Sequence, residues 1–209
     1  MNIQRTIYLL AGFVFLHSCM GNAGSQSTDQ EVYAEDTLDY SDVETATFAG
    51  GCFWCVEASF EQIRGVKAAV SGFAGGQKQD PAYNEVAAGR TNHAETVQVY
   101  FDPEEINYRT LLDIFFTAHD PTQLNRQGPD VGKQYRSALF YHNQQQLQLA
   151  KAVIDSLNNS GIYEKEIVTK LNPYTEFYPA SDYHQNYEEK NPNDPYIQNV
   201  SRPKINKVK

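Results

Sequence analysis

Cysteine is scarce in this chain, which has three among 209 residues, at positions 19, 52 and 55. None follows residue 55, so residues 44–209 hold two, too few for the disulfide framework of a small secreted scaffold. Two cysteines separated by two residues indicate redox or metal chemistry instead.

Basic side chains are also few, with 17 Lys and Arg against 26 Asp and Glu. Six of the acids lie between residues 22 and 43, a stretch without Lys or Arg. Residues 44–209 therefore carry 16 basic and 20 acidic side chains, a net charge of −4. Because it has no basic cluster, this core is not expected to bind nucleic acid. Its length and composition suit one globular domain.

The N-terminal apolar run, Ile7 to Leu16, is shorter than the about 20 residues that span a bilayer. It fits the apolar part of a secretory signal peptide over residues 1–18. The residues that end at Cys19 resemble a bacterial lipobox, which would make Cys19 the lipidated anchor of an exported lipoprotein on the periplasmic or cell-surface side. An ordinary signal peptide cut nearby is the alternative.

Residues 19–43 are predicted to form an acidic, flexible tether. They are rich in Ser, Gly, Gln, Asp and Glu, a composition that cannot bury enough apolar surface to fold alone. A flexible coil of this length reaches about 25–30 Å. It would hold a domain of residues 44–209 away from a membrane, although a tail without such a role is the alternative.

Gly50 to Glu57 joins a predicted strand, residues 44–49, to a predicted helix whose apolar residues at 53, 56, 60 and 63 share one face. Cys52 is therefore placed at a helix N-terminus, where unpaired N–H groups favour an anion and lower the pKa of a thiol. Cys55 follows one turn later, about 5–6 Å away between Cβ atoms. We predict that Cys52 is an activated nucleophile and Cys55 its resolving partner.

The remaining periodicity predicts an α+β fold. Strands are expected at residues 66–72, 96–101, 136–141 and 166–171. Helices are expected at residues 108–118, capped by Asn107, and at residues 143–158, ending near Gly161. A long polar loop is expected at 119–135, and an irregular tail at the C-terminus. Strand pairs without an intervening helix imply a mixed or antiparallel sheet, a two-layer plait related to the ferredoxin-like arrangement with helices packed on it.

Residues 51–57 (GCFWCVE) resemble the signature of the peptide methionine sulfoxide reductase A family. Six further blocks resemble the family in the family's order: PAYNEV (81–86), HAETV (93–97), HDPTQ (119–123), RQGPDVG (126–132), QYRS (134–137) and DYHQ (182–185). The resemblance covers roughly residues 44–192. It is specific because so many ordered blocks do not arise by chance.

The resemblance implies that Cys52 attacks the sulfur of a methionine sulfoxide and that Glu95 gives a proton to its oxygen. A sulfoxide oxygen leaves poorly until it is protonated, so the pKa of Glu95 must be raised, as burial would do. The implied substrate-binding residues are Phe53 and Trp54, which would wall an apolar pocket for the S-methyl group, and Tyr83, Asp130 and Tyr135, which would arrange hydrogen bonds around the oxygen.

The resemblance also implies the rest of the cycle. Cys52 would become a sulfenic acid and condense with Cys55 to a disulfide. Many family members resolve with a C-terminal cysteine and have glycine where Cys55 stands, so this chain would be of CxxC type. A thioredoxin-like dithiol would reset the pair without a metal or organic cofactor. The expected substrates are oxidised proteins or peptides with methionine S-sulfoxide, repaired under oxidative stress by a monomer.

Other functions fit single features of the chain. The CxxC spacing is also typical of an exported thiol-disulfide oxidoreductase. It could supply half of a zinc site, but the histidines lack ligand spacing. His119 and Asp120 could join Cys52 in a protease triad, which has no use for a resolving cysteine. A non-catalytic binding lipoprotein would not need Cys52, Glu95 and Tyr135 together.

Overall fold

A six-stranded mixed sheet is the framework of the protein, for which a computed structural model describes residues 42–208. Its strands are β1 (Glu44–Gly50), β2 (Val66–Ala74), β3 (Ala94–Phe101), β6 (Ser137–Tyr141), β7 (Lys170–Pro173) and β8 (Phe177–Pro179). They lie in the order β7-β6-β1-β3-β2-β8. The β6–β7 pair is parallel and the other neighbours are antiparallel. The predicted α+β class with a mixed sheet is confirmed.

The α-helices of residues 42–208 are α1 (Phe53–Glu61), α2 (Tyr83–Ala87), α3 (Tyr108–Ala118), α4 (Gln144–Ser160), α5 (Tyr187–Lys190) and α6 (Arg202–Ile205). Two of these six helices, α3 and α4, begin after an asparagine that caps them through its side chain. The Asn107 side chain accepts a hydrogen bond from the Thr110 N–H at 3.0 Å and caps α3. Helix α4 ends at Gly161, whose φ of +75° suits glycine. Both boundaries confirm the prediction.

An aromatic cluster fixes α1 against the centre of the sheet. The rings of Phe48 on β1 and Phe60 on α1 stack with centroids 4.8 Å apart. Phe115 on α3 lies 5.2 Å from Phe48, and all three side chains are fully buried. Such rings contribute most of the apolar area in a core of this size. The start of α1 is therefore held on a rigid base.

Two segments beyond α3 differ from the prediction. Residues 119–135, expected to be a long loop, contain a small hairpin of β4 (Arg126–Gln127) and β5 (Asp130–Val131) and a 3-10 turn at Lys133–Tyr135. The strand expected at 166–171 begins at Lys170 instead. The Val168 N–H donates to the carbonyl of Pro121, outside the sheet. Polar groups in these two segments form hydrogen bonds outside the main sheet. Their sequence therefore shows no hydrophobic periodicity that would predict the structure.

The prediction of an irregular C-terminal tail is wrong from Tyr187 onward. This segment contains α5, a π-helical turn at Ile197–Ser201, and α6. Ile197 is fully buried, and the Gln62 side chain at the end of α1 donates to the Ile205 carbonyl at 3.3 Å. Three prolines interrupt this region and hide its helical pattern. The segment packs along α1 and reaches the site described below.

The predicted signal peptide, Cys19 and nearly all of the tether lie outside the described residues. Within residues 42–208, no helix has both the length and the apolar character needed to cross a bilayer.

Candidate active site

A glycine pair turns the chain from β1 into α1 and sets the position of Cys52. Gly51 has a φ of +103°, and a Cβ at this residue would lie 2.7 Å from the side chain of Gln127. Only glycine fits both constraints. Cys52 is the N-cap of α1, and its carbonyl accepts hydrogen bonds from the Cys55 and Val56 N–H groups. The predicted place of Cys52 at a helix N-terminus is confirmed.

The pKa of the Cys52 thiol is shifted in the opposite direction to the lowering that its place at a helix N-terminus predicts. Burial raises its pKa well above the usual range, and the hydrogen bond with Cys55 and the charges of Cys55 and Glu95 raise it further. A helix N-terminus favours an anion by about 0.3–1 kcal/mol. Full burial shifts a pKa by as much as about 3–5 units, which is several times more. Desolvation therefore outweighs the helix.

Cys55 is the more acidic of the two thiols, and both are free and buried. Its hydrogen bond with Cys52 is the main cause of a pKa lowered to about 7, and Lys204, Ser201 and Tyr196 add to it against the effect of burial. The Ser201 Oγ lies 2.9 Å from the Cys55 Sγ, and the Tyr196 Oη lies 3.9 Å from it. The structure thus shows a reduced pair in which the polar groups around Cys55 favour its thiolate.

Glu95 lies on β3 with its carboxyl group directed at the start of α1. Its Oε2 accepts a hydrogen bond from the Phe53 N–H at 3.1 Å, and 2% of the residue is exposed. Burial raises the pKa of Glu95 to about 8, although the Phe53 N–H acts in the opposite direction. At neutral pH the group therefore keeps a proton, as a proton donor must.

Three of the predicted substrate-binding residues bring polar groups to this place. Tyr83 begins α2, Tyr135 ends the 3-10 turn, and Asp130 lies on β5. Burial raises the pKa of Tyr83 to about 12 and raises that of Tyr135 further, and negative charge on Glu95 or Cys52 would add to both. Both hydroxyls thus remain neutral donors near the thiol and the carboxyl group.

The two predicted pocket residues meet a wall of rings. The Phe53 and Trp54 centroids are 6.2 Å apart, and Phe53 also lies 6.2 Å from Tyr83. The Trp54 ring is stacked on Tyr187 at 3.7 Å and 9°. His184 lies 5.4 Å from Phe53 and 4.1 Å from Tyr83. Such a wall offers dispersion to a methyl group.

The C-terminal residues at this site were not predicted. Tyr196 donates to Asp130 Oδ2 at 2.7 Å, and Ser201 contacts Cys55. The block that contains His184 was found in the sequence, but no role followed from it. The many tyrosines of this region were the signal for Tyr187 and Tyr196, whereas a lone serine and lysine give none.

His119 does not form a protease triad with Cys52. Its Nδ1 lies 2.7 Å from the Phe115 carbonyl, and its Nε2 lies 2.7 Å from the Ser137 Oγ. Burial lowers its pKa to about 4. Both ring nitrogens are therefore engaged in hydrogen bonds with buried groups near β1. Among residues 42–208, no group of three or more His, Cys, Asp or Glu side chains is arranged to hold a metal ion.

Comparison with solved structures finds similar folds. Mxr1 from Saccharomyces cerevisiae in reduced form aligns with a TM-score of 0.69 and 35% identity, over 73% of this chain and 87% of that chain. Mxr1 in complex with Trx2 aligns with a TM-score of 0.51 and 26% identity, over 73% of this chain and 91% of that chain.

Comparison of the sequence is more specific. Peptide methionine sulfoxide reductase MsrA of Natronomonas pharaonis is 54% identical over 165 residues, which cover 79% of this chain and 93% of the relative. The family model described as peptide methionine sulfoxide reductase matches residues 44–209. With the reduced thiol pair, the buried Glu95 and the aromatic wall already in place, the chain belongs to the peptide methionine sulfoxide reductase family.

Proposed function

We propose that this protein reduces methionine S-sulfoxide in oxidised proteins or peptides, with Cys52 as nucleophile and Glu95 as proton donor. The observation that carries the proposal is the buried Glu95, held protonated at neutral pH, at the helix start that Cys52 caps. Family membership makes the chain an oxidoreductase. The roles of single residues follow from their chemistry.

In the first step, the Cys52 sulfur attacks the sulfoxide sulfur while Glu95 protonates the sulfoxide oxygen. The S–O bond of the substrate then breaks, the released hydroxide bonds to the Cys52 sulfur, and the bond between the two sulfurs breaks so that methionine leaves. The substrate sulfur gains the two electrons that Cys52 loses, so Cys52 becomes a sulfenic acid. Tyr83 and Tyr135 donate hydrogen bonds to the oxygen as negative charge develops there. The aromatic wall of Phe53 and Trp54 receives the S-methyl group.

In the second step, Cys55 attacks the Cys52 sulfenic acid, and water leaves with the oxygen. One Cys52–Cys55 disulfide results, and no outside oxidant is needed. No cysteine follows residue 55, which supports the CxxC type of cycle. The two thiols are close enough in the reduced state for each to shift the pKa of the other.

A thioredoxin-like dithiol completes the cycle by exchange with this disulfide, and no metal or organic cofactor takes part. The complex of Mxr1 with Trx2 supports this class of partner. The dithiol gives two electrons for each methionine formed. Both thiols are regenerated. We also propose that the protein works as a monomer.

The test uses the purified, reduced full-length protein with separate S and R epimers of a methionine sulfoxide peptide. Without reductant, the S epimer is expected to yield about one methionine per enzyme, because one dithiol supplies two electrons. Dithiothreitol should make the reaction catalytic, and the R epimer should give no methionine.

A folded protein that releases methionine from neither epimer would contradict the proposal. Rapid disulfide exchange with a model disulfide in that same preparation would then favour the thiol-disulfide oxidoreductase. Methionine from the R epimer alone would show that the stereochemical assignment is wrong.

We infer that the four inner strands form a ferredoxin-like plait. Their order, β6-β1-β3-β2, is antiparallel throughout, and helices α1 and α3 follow β1 and β3. This βαββαβ unit would be extended at one edge by β7 and at the other by β8. The plait places Cys52, after β1, beside Glu95 at the start of the neighbouring β3.

We also propose that the protein is exported and anchored through a lipid on Cys19, with residues 19–43 as its tether. The apolar run before Cys19 and the acidic composition after it support this placement. Exposed methionines are vulnerable in an oxidising exterior, where such a repair enzyme would be useful.

Cys19→Ala is expected to move the protein from the membrane fraction to the soluble fraction of its bacterial host, because the acyl chains would be lost. Fractionation followed by immunoblotting measures this. A wild-type level of membrane association in an exported, processed Cys19→Ala protein would show that lipidation is not what holds it.

A further inference from the structure

The C-terminal segment places three polar side chains around Cys55. Ser201 is fully buried, with its Oγ 2.9 Å from the Cys55 Sγ. Tyr196 lies 3.9 Å from the same sulfur, and its hydroxyl hydrogen is donated to Asp130. Lys204 lowers the pKa of Cys55 through its charge. The chemistry of sulfoxide reduction makes no use of Ser201 or Lys204.

The backbone that carries these residues is unusual and well anchored. Ser201 ends the π-helical turn at Ile197–Ser201, and Lys204 lies in the α-helical turn that follows. π-Helical turns often mark functional sites, because they rotate the following side chains relative to a regular helix. Arg202, directly after the turn, forms an ion pair with Glu188, with its Nε 3.3 Å from the Glu188 Oε1. The Gln62 side chain at the end of α1 also donates to the Ile205 carbonyl at 3.3 Å, which ties this segment to α1.

Lys204 has a buried ammonium group that is incompletely satisfied. Its side chain is 14% exposed, and its Nζ makes no hydrogen bond to any residue in the described part of the chain. Asp130 Oδ2 is 4.0 Å away, and Tyr196 already donates to that oxygen. A buried charge is costly unless an anion lies near it. A second anion close to Lys204 would therefore be stabilised.

We propose that Ser201 and Lys204 are positioning residues that hold Cys55 as a thiolate for attack on the Cys52 sulfenic acid. This inference rests on the proposed function. It assigns Ser201 and Lys204 to the resolving step, in addition to the residues that act in sulfoxide reduction. Ser201 donates its hydroxyl hydrogen to the Cys55 sulfur, since the Tyr196 hydroxyl hydrogen is occupied by Asp130. Lys204 supplies the compensating charge.

The resolving step balances with these roles. The Cys55 thiolate forms a bond to the Cys52 sulfur, the S–O bond breaks, and the oxygen leaves as hydroxide that takes a proton to become water. The titratable groups that face Cys55 are Cys52, Tyr196, Lys204 and Glu95, with Asp130 behind Tyr196. Only Lys204 among them carries positive charge. Its removal should therefore raise the pH at which resolution becomes fast.

The test measures the two steps separately in the full-length protein. Methionine release reports the first step, and the lifetime of the Cys52 sulfenic acid, trapped with dimedone, reports the second. Ser201→Ala is expected to slow disulfide formation about tenfold at neutral pH, the usual effect of losing one hydrogen bond to a charged group. Methionine release should change little.

Lys204→Met should move the pH midpoint of disulfide formation upward by about one unit, because the thiolate loses a neighbouring cation. Lys204→Arg, which keeps the charge, should restore the wild-type midpoint. Lys207→Met is the matched control, since Lys207 is exposed three residues further along. It should leave the midpoint in place.

Disulfide formation at the wild-type rate and midpoint in both Ser201→Ala and Lys204→Met would overturn the inference. So would a midpoint that Lys204→Arg fails to restore, because charge would then not be the cause. A wild-type protein that releases no methionine would instead contradict the proposed function itself. The two failures are thus distinguishable in one experiment.

Discussion

Cys52→Ser is expected to release no methionine from a methionine S-sulfoxide peptide, whereas Cys55→Ser should release about one equivalent and then stop. A serine hydroxyl cannot replace a thiol that must lose two electrons, so the first variant fails at the attack on sulfur. The second variant keeps that attack and loses the partner for the sulfenic acid. Methionine per enzyme, followed over time without reductant, separates the two cases.

The product left on each enzyme provides a second measurement. Intact mass should show one added oxygen atom on Cys55→Ser and the loss of two hydrogen atoms on the wild type. Cys19→Ser is the matched control, because it removes the remaining cysteine, to which no step of the cycle is assigned, and it should behave as the wild type. If Cys55→Ser turns over at the wild-type rate with a dithiol protein as reductant, Cys55 is not the main resolving residue.

Local signals in the sequence predict the scaffold of the site well. Asn107 marks the start of α3 and Gly161 marks the end of α4. Both could be predicted because capping depends on residues only a few positions away in the sequence. The Gly51 turn was found for the same reason. Only the resemblance singled out Glu95 from the other carboxylates as the acid that acts with Cys52.

Two features of the site depend on contacts between distant parts of the chain and could not be predicted from the sequence. The pKa of Cys52 is raised mainly by burial, which depends on the folded chain, so the helix N-terminus alone gave the wrong direction. Ser201 meets Cys55 across 146 positions of sequence. A π-helical turn between prolines has no hydrophobic period that would predict such a contact.

Glu95→Gln is expected to slow the first step about 10²–10⁴-fold at neutral pH, the usual contribution of a positioned proton donor. The amide oxygen can still accept the Phe53 N–H that Glu95 now accepts, so the site should keep its shape. Single-turnover methionine release measures the effect. Glu57→Gln is the matched control. Glu57 is also a buried acid with a pKa raised to about 8, but it accepts its hydrogen bond from the Asn186 N–H and not from the start of α1.

The pH dependence of Glu95→Gln distinguishes a lost proton from a disturbed pocket. The reactive state needs Glu95 protonated and Cys52 without its proton. The pKa of Glu95 is about 8, and burial raises that of Cys52 well above the usual range of a thiol. In the wild type, the rate should rise to pH 8 and then level off, because each gain in thiolate is matched by a loss of protonated Glu95.

The Glu95→Gln rate should instead keep rising with pH as Cys52 ionises. Above the pKa of Glu95, the ratio of wild-type to variant rate should therefore fall about tenfold per pH unit. A pocket that is merely disturbed would give a constant ratio at every pH. A constant ratio, or a wild-type profile that rises without a plateau, would assign the proton to another group, with Tyr83 and Tyr135 as the neutral hydroxyls nearest to the reaction.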